Sequence, residues 1–189
     1  MQAVLVSLGV IFVAELGDKS QLMALAFATR YRAGPVLLGI TLATAAVHAV
    51  SAVVGAVLGA QLPTRTLTIV AGLAFFGFAA WTYRGDSLSE DEEARARRTG
   101  RPAVVAASVA FFLAELGDKT MLATITLASR GDPLGVWVGS TVGMVAADAL
   151  AIVVGRQLGS RLPARVIRIG ATVSFVVFGL VLLVEGIRG

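Results

Sequence analysis

With 189 residues, of which 57% are hydrophobic and only 15% charged, the chain is too apolar for a soluble enzyme and has too little charge for a disordered segment. It is read as an integral membrane protein. The absence of cysteine and the single histidine, His48, exclude a disulfide framework, a thiolate metal site and a zinc site of clustered histidines. The net charge of +4 arises from arginines at the ends of apolar segments, which points to membrane topology and not to a nucleic-acid partner.

Apolar windows cover residues 3–29, 35–59, 66–83, 103–129, 134–155 and 166–187, each matching the roughly 17 to 25 residues that a spanning helix needs. The fold class expected is all-α, with six transmembrane helices. The first window carries Glu15, Asp18 and Lys19 in its interior, so a cleaved signal peptide is not expected. Pro and Gly mark the turns at Gly34-Pro35, Leu62-Pro63, Gly131-Asp132-Pro133 and Leu162-Pro163. The one long connection, residues 84–102, holds ten charged residues including Glu90-Asp91-Glu92-Glu93. It is read as a solvated linker between a first three-helix unit, 1–83, and a second, 103–189.

The two units are copies. Gly39, Thr41, Val53-Val54-Gly55, Leu58-Gly59, Leu62-Pro63 and Arg65 recur one hundred residues later as Gly139, Thr141, Val153-Val154-Gly155, Leu158-Gly159, Leu162-Pro163 and Arg165. With three spans per unit, the second copy enters the membrane from the opposite side, the inverted-repeat plan of many secondary transporters. Six spans put Arg65, Arg130 and Arg188 on one side and the other eleven arginines on the linker side. Positive-inside bias then places the linker in the cytoplasm and both termini outside. Trp81, Tyr83 and Trp137 near segment ends are expected as interfacial anchors. Gly55-x-x-x-Gly59, Gly155-x-x-x-Gly159 and the series Gly135, Gly139, Gly143 supply small faces for close helix packing.

The most informative repeat is Glu15-Leu16-Gly17-Asp18-Lys19-Ser20, which returns as Glu115-Leu116-Gly117-Asp118-Lys119-Thr120 in the middle of an apolar window. Six charges at helix centres would oppose insertion by about 15 to 20 kcal/mol if left uncompensated. On a continuous helix the Glu, Asp and Lys of each copy share one stripe. Gly17 and Gly117 permit close backbone approach or local unwinding. Ser20 and Thr120 reach that stripe only if the helix breaks; otherwise they bond backbone carbonyls. Brought together, the four carboxylates and two ammonium groups carry a formal charge of minus two, which one divalent cation neutralises. Their oxygens suit hard cations such as Mn²⁺, Ca²⁺ or Mg²⁺. Two protons replace that ion on crowded, desolvated carboxylates, the minimal physics of a proton-coupled exchanger.

Glu15, Asp18, Glu115 and Asp118 are therefore the expected cation ligands. Lys19 and Lys119 are expected to orient carboxylates, and Gln21 to supply an amide oxygen where its counterpart, Met121, cannot. His48 and Asp148 hold equivalent positions in the second helix of each unit, as a proton relay or outer ligands. No nucleophile with a base, phosphate-binding glycine loop or ATPase motif is found, so neither an enzyme nor a resident cofactor is expected and gradients must supply the energy. Expected partners are divalent metal ions, protons and the lipid bilayer, with no nucleic acid; nothing in the sequence sets an oligomeric state.

The doubled Glu-x-Gly-Asp-Lys-Ser/Thr motif in a six-helix chain with a charged central linker resembles the Gdt1 family of Mn²⁺/Ca²⁺ transporters, within the LysE superfamily. The resemblance covers essentially the whole chain. It implies a secondary antiporter that moves Mn²⁺ or Ca²⁺ against protons, with Glu15, Asp18, Glu115 and Asp118 binding the cation and Lys19, Ser20, Lys119 and Thr120 completing the motif. Met121 departs from the Gln-Leu that often follows the motif. With a short amino terminus and no organelle-targeting extension, a bacterial plasma membrane is the expected location, and Mn²⁺ export the expected direction. Two other readings stand beside this one: a LysE-like exporter of an amino acid or small cationic metabolite, and a non-transporting scaffold or channel with structural ion pairs.

Overall fold

The computed structural model describes residues 1–84, 102–158 and 164–188, and every regular element among them is an α-helix. They are α1 (Gln2–Glu15), α2 (Lys19–Arg30), α3 (Ala33–Gln61), α4 (Thr64–Arg84), α5 (Ala103–Glu115), α6 (Lys119–Ala128), α7 (Pro133–Leu158) and α8 (Ala164–Arg188). The linker's residues 85–101, with most of its charge, and the turn at 159–163 lie outside the described residues.

Four helices, α3, α4, α7 and α8, are long and apolar enough to cross a membrane. The expected first and fourth spans are each divided in two. α1 stops at Glu15 and α2 starts at Lys19, and the copy behaves identically at Glu115 and Lys119. The glycines cause the break: Gly17 has φ +76° and Gly117 φ +80°, the left-handed region that only glycine enters without strain. Leu16 and Leu116 ahead of them are extended. The charged motif is thus a helix–break–helix, which replaces the expected stripe on a continuous helix.

Each broken helix packs on the long helix of the other unit. α7 lies along α1 and α2 in the same direction: Gly139 faces Val4 and Ser7, Gly143 faces Leu8 and Phe12, and Gly155 faces Leu25. α3 lies likewise along α5 and α6, with Gly39 against Val104 and Ala107, and Gly55 and Gly59 against residues 125–129. A Cβ on Gly39 would stand 2.6 Å from the Val104 carbonyl oxygen; these glycines let backbones touch where side chains would hold them apart. Gly159 lies outside the described residues.

α3 and α7 meet between these two layers. The Thr44 hydroxyl donates to Met144 Sδ at 3.3 Å, and these two residues are one hundred apart, so the repeat's own axis passes near this contact. Trp137 donates its indole N–H to the Ala45 carbonyl at 2.9 Å and so ties α7 to α3. α4 and α8 form an outer pair through Phe75, Phe78, Phe175 and Phe178, whose ring centroids are 5.6 to 6.0 Å apart. The buried core joins Ile11, Phe27, Ile40, Phe111, Met144 and Phe175. Outward positions stay apolar, with Leu38, Leu42, Val50, Val53 and Val57 of α3 and Val173, Val177, Leu180 and Val181 of α8 all exposed. Apolar residues on the outside of a well-packed bundle mark a lipid-facing surface.

Candidate metal centre

The two breaks face each other inside the bundle and bring the motif residues of both copies together. Glu15, Asp18, Glu115, Asp118, Ser20 and Thr120 are each no more than 2% exposed. One carboxylate oxygen from each of Glu15, Glu115 and Asp118 lies within 4.8 Å of the other two. Oxygens bound to a single hard cation at about 2.3–2.6 Å cannot be more than about 5 Å apart. The spacing fits one ion.

The break explains how each glutamate is presented. Because α2 restarts after Gly17, the Ser20 hydroxyl swings back to donate to Glu15 Oε2, and Thr120 donates to Glu115 Oε2 at 2.9 Å. In both glutamates the second oxygen, Oε1, is buried without a hydrogen-bond partner among the described residues. Each side chain is held by one oxygen and offers the other. The carboxyl ends of α1 and α5 also terminate here, and helix C-termini carry a partial negative charge that favours cations. Asp18 and Asp118 are the N-cap residues just ahead of α2 and α6, but neither side chain makes a capping hydrogen bond.

The lysines pair across the two copies. Lys119 donates to Asp18 Oδ1, and Lys19 Nζ lies 4.0 Å from Asp118 Oδ1. The two pairs are unequal: the Lys119 side chain is 3% exposed and that of Lys19 18%. The stripe expected within each copy did not reveal this pairing between copies, because only the packing of one break against the other creates it. Both recorded lysine pairs engage aspartates and not the glutamates. Were all three carboxylates ionised, oxygens no more than 4.8 Å apart would repel by at least about 3 kcal/mol per pair at an effective dielectric near 20, so the group calls for a cation or protons.

Gln21 takes a supporting place at the break. Its Oε1 accepts from Gly17 N–H at 2.8 Å and its Nε2 donates to the Ala147 carbonyl at 3.0 Å, so the amide oxygen expected for the ion is engaged by the backbone. Met121 substitutes with sulfur: Gly117 N–H donates to its Sδ at 3.2 Å. The departure at Met121 therefore alters how a break is closed, not the oxygen set. His48 and Asp148 are fully buried. Asp148 is within electrostatic reach of Asp18, Glu15 and Glu115 but stands outside the three-carboxylate group.

The family model described as divalent cation/proton antiporter GDT1 matches residues 3–90 and 103–189. A Vibrio cholerae protein named "Putative manganese exporter" is 36% identical over 171 residues, which cover 89% of this chain and 84% of that protein. GDT1-like protein 2, chloroplastic, of Oryza sativa is 32% identical across 89% of this chain and 57% of its own length. GDT1-like protein 5 of Arabidopsis thaliana is 27% identical across 92% of each. The chain thus spans most of the bacterial relative and little more than half of the chloroplast one. No solved structure matches. With a family model matching both halves and one copy of the motif in each, the chain belongs to the GDT1 family.

Proposed function

We propose that this chain is a proton-coupled divalent-cation antiporter, with Mn²⁺ as the principal cargo and Ca²⁺ as the second candidate. The observation that carries the reading is the set of three buried carboxylates, Glu15, Glu115 and Asp118, with oxygens within 4.8 Å of one another. Asp18 completes the acidic set from its pair with Lys119. A bound cation neutralises the carboxylates, and protons do so once it leaves. Two such states with similar net charge are what obligatory exchange requires.

In this reading the chain crosses the membrane six times, counting α1–α2 and α5–α6 as single broken spans, and its halves are inverted three-helix repeats. The cross-packing of each broken span on the other half supports it, as do broken helices at a midplane site, a recurring device of secondary transporters. Rocking of the halves about the site would expose it to each side in turn. Arginine distribution favours the linker in the cytoplasm and the termini outside, and the Vibrio relative favours a bacterial plasma membrane and export. The test is Glu15→Gln and Glu115→Gln in proteoliposomes. Each is expected to abolish Mn²⁺-driven proton movement, while Glu185→Gln, in the exposed pair with Arg130, retains it; full exchange in either site variant refutes the assignment.

A further inference from the structure

Asp148, expected as a proton relay or outer ligand, stands outside the three-carboxylate group, yet it is costly to keep. It is fully buried, and neither carboxylate oxygen accepts a hydrogen bond from a described residue. An isolated buried carboxylate costs several kcal/mol after all relaxation. Its field reaches Asp18 and both glutamates, so it borders the cation cluster.

Its position along the bundle is off-centre. α7 begins where α6 ends, beside Gly55 and Gly59 near the end of α3, and α3 begins beside the start of α5. The two long helices therefore run in opposite directions and meet at Thr44 and Met144. Asp148 is one turn beyond that contact on α7, and His48 is one turn beyond it on α3. A turn advances about 5 to 6 Å, so the equivalent residues are displaced from that contact toward opposite ends of the bundle. Asp148 lies toward the end of the bundle where residues 85–101 leave α4 and enter α5. His48, also fully buried with neither ring nitrogen hydrogen-bonded to a described residue, lies toward the other end. One turn past the Thr44–Met144 contact the repeat thus carries a buried carboxylate toward one end of the bundle and a buried imidazole toward the other.

We propose that Asp148 is a one-sided station for the divalent cation, receiving it between the 85–101 face and the Glu15–Glu115–Asp118 cluster, with no acidic equivalent on the opposite approach. The station rests on the exchanger reading and makes that exchanger asymmetric. Capture from the 85–101 face benefits from a carboxylate outside the central group; capture from the other face does not.

The test is Mn²⁺ flux in membrane vesicles of both orientations, with Mn²⁺ offered to one face at a time. Asp148→Asn is expected to raise the apparent KM from the 85–101 face by about tenfold or more, the usual loss on removing a supporting metal partner, and to change the opposite KM by less than about threefold. His48→Asp is expected to lower KM from the opposite face. Equal changes on both faces, or none, in Asp148→Asn overturn the proposal; should that variant fail to fold, an unchanged opposite-face KM in His48→Asp overturns it. Exchange by the wild type that Glu15→Gln abolishes from both faces keeps the antiporter reading separate, since its absence would refute that reading instead.

Discussion

Glu15 and Glu115 are each held by a single hydroxyl from the following turn, and the other oxygen has no hydrogen-bond partner among the described residues, the arrangement the proposed cation site requires. Groups that orient a metal ligand are typically worth ten- to a hundredfold in affinity. Thr120→Val keeps the shape and removes the donor, so Mn²⁺ affinity is expected to fall by about 10- to 100-fold, read as the apparent KM of exchange or by calorimetry on detergent-solubilised protein; an unchanged affinity would show that the hydroxyl is not orienting Glu115. The acids themselves were legible in the sequence, because charge in an apolar window is too costly to be incidental. The hydroxyls were legible only conditionally, since on an unbroken helix Ser20 and Thr120 leave the charged stripe. The bond from the Gly17 N–H to the Gln21 amide oxygen depends on the break and was not legible in the sequence.

Among the helices, the breaks at Gly17 and Gly117 position everything else. Hydropathy sees only an apolar window long enough to span, and the glycine inside it signals freedom without saying how the freedom is used. The left-handed φ at both positions is what turns each span into two helices. At Gly117 an added Cβ would meet nothing within 4 Å, so substitution tests the backbone alone. Gly117→Ala is expected to cost about 1–2 kcal/mol, since a non-glycine residue pays about that in the left-handed region. Gly77, exposed within α4 and equally open, should respond with the opposite sign: Gly77→Ala is expected to stabilise by about 0.5–1 kcal/mol. Thermal unfolding in detergent measures both, and equal shifts in the same direction would argue against a strained break.

For the whole molecule, the hundred-residue repeat announced two equivalent halves, and the residues that recur include glycines that now separate helices by backbone contact alone. Which half supports which was not legible. Periodicity describes one helix at a time, whereas the crossing of α3 with α7, the packing of each broken span on the other unit and the exchange of Lys19 and Lys119 between aspartates are properties of the assembled pair. The same exchange bears on why the ion pairs are insufficient as a purpose: buried pairs seldom add net stability, and here both lysines are engaged with aspartates while Glu15 and Glu115 each keep one oxygen without a hydrogen-bond partner among the described residues. The excess negative charge is what a guest cation or protons would balance.

Simultaneous recording of Mn²⁺ and proton flux across proteoliposomes holding the wild-type chain tests that balance most directly. An imposed pH gradient should drive Mn²⁺ uphill, with protons moving the opposite way in fixed proportion and both fluxes ceasing when an ionophore collapses the gradient. Mn²⁺ movement that ignores the pH gradient, or proton movement that needs no metal, would contradict the account.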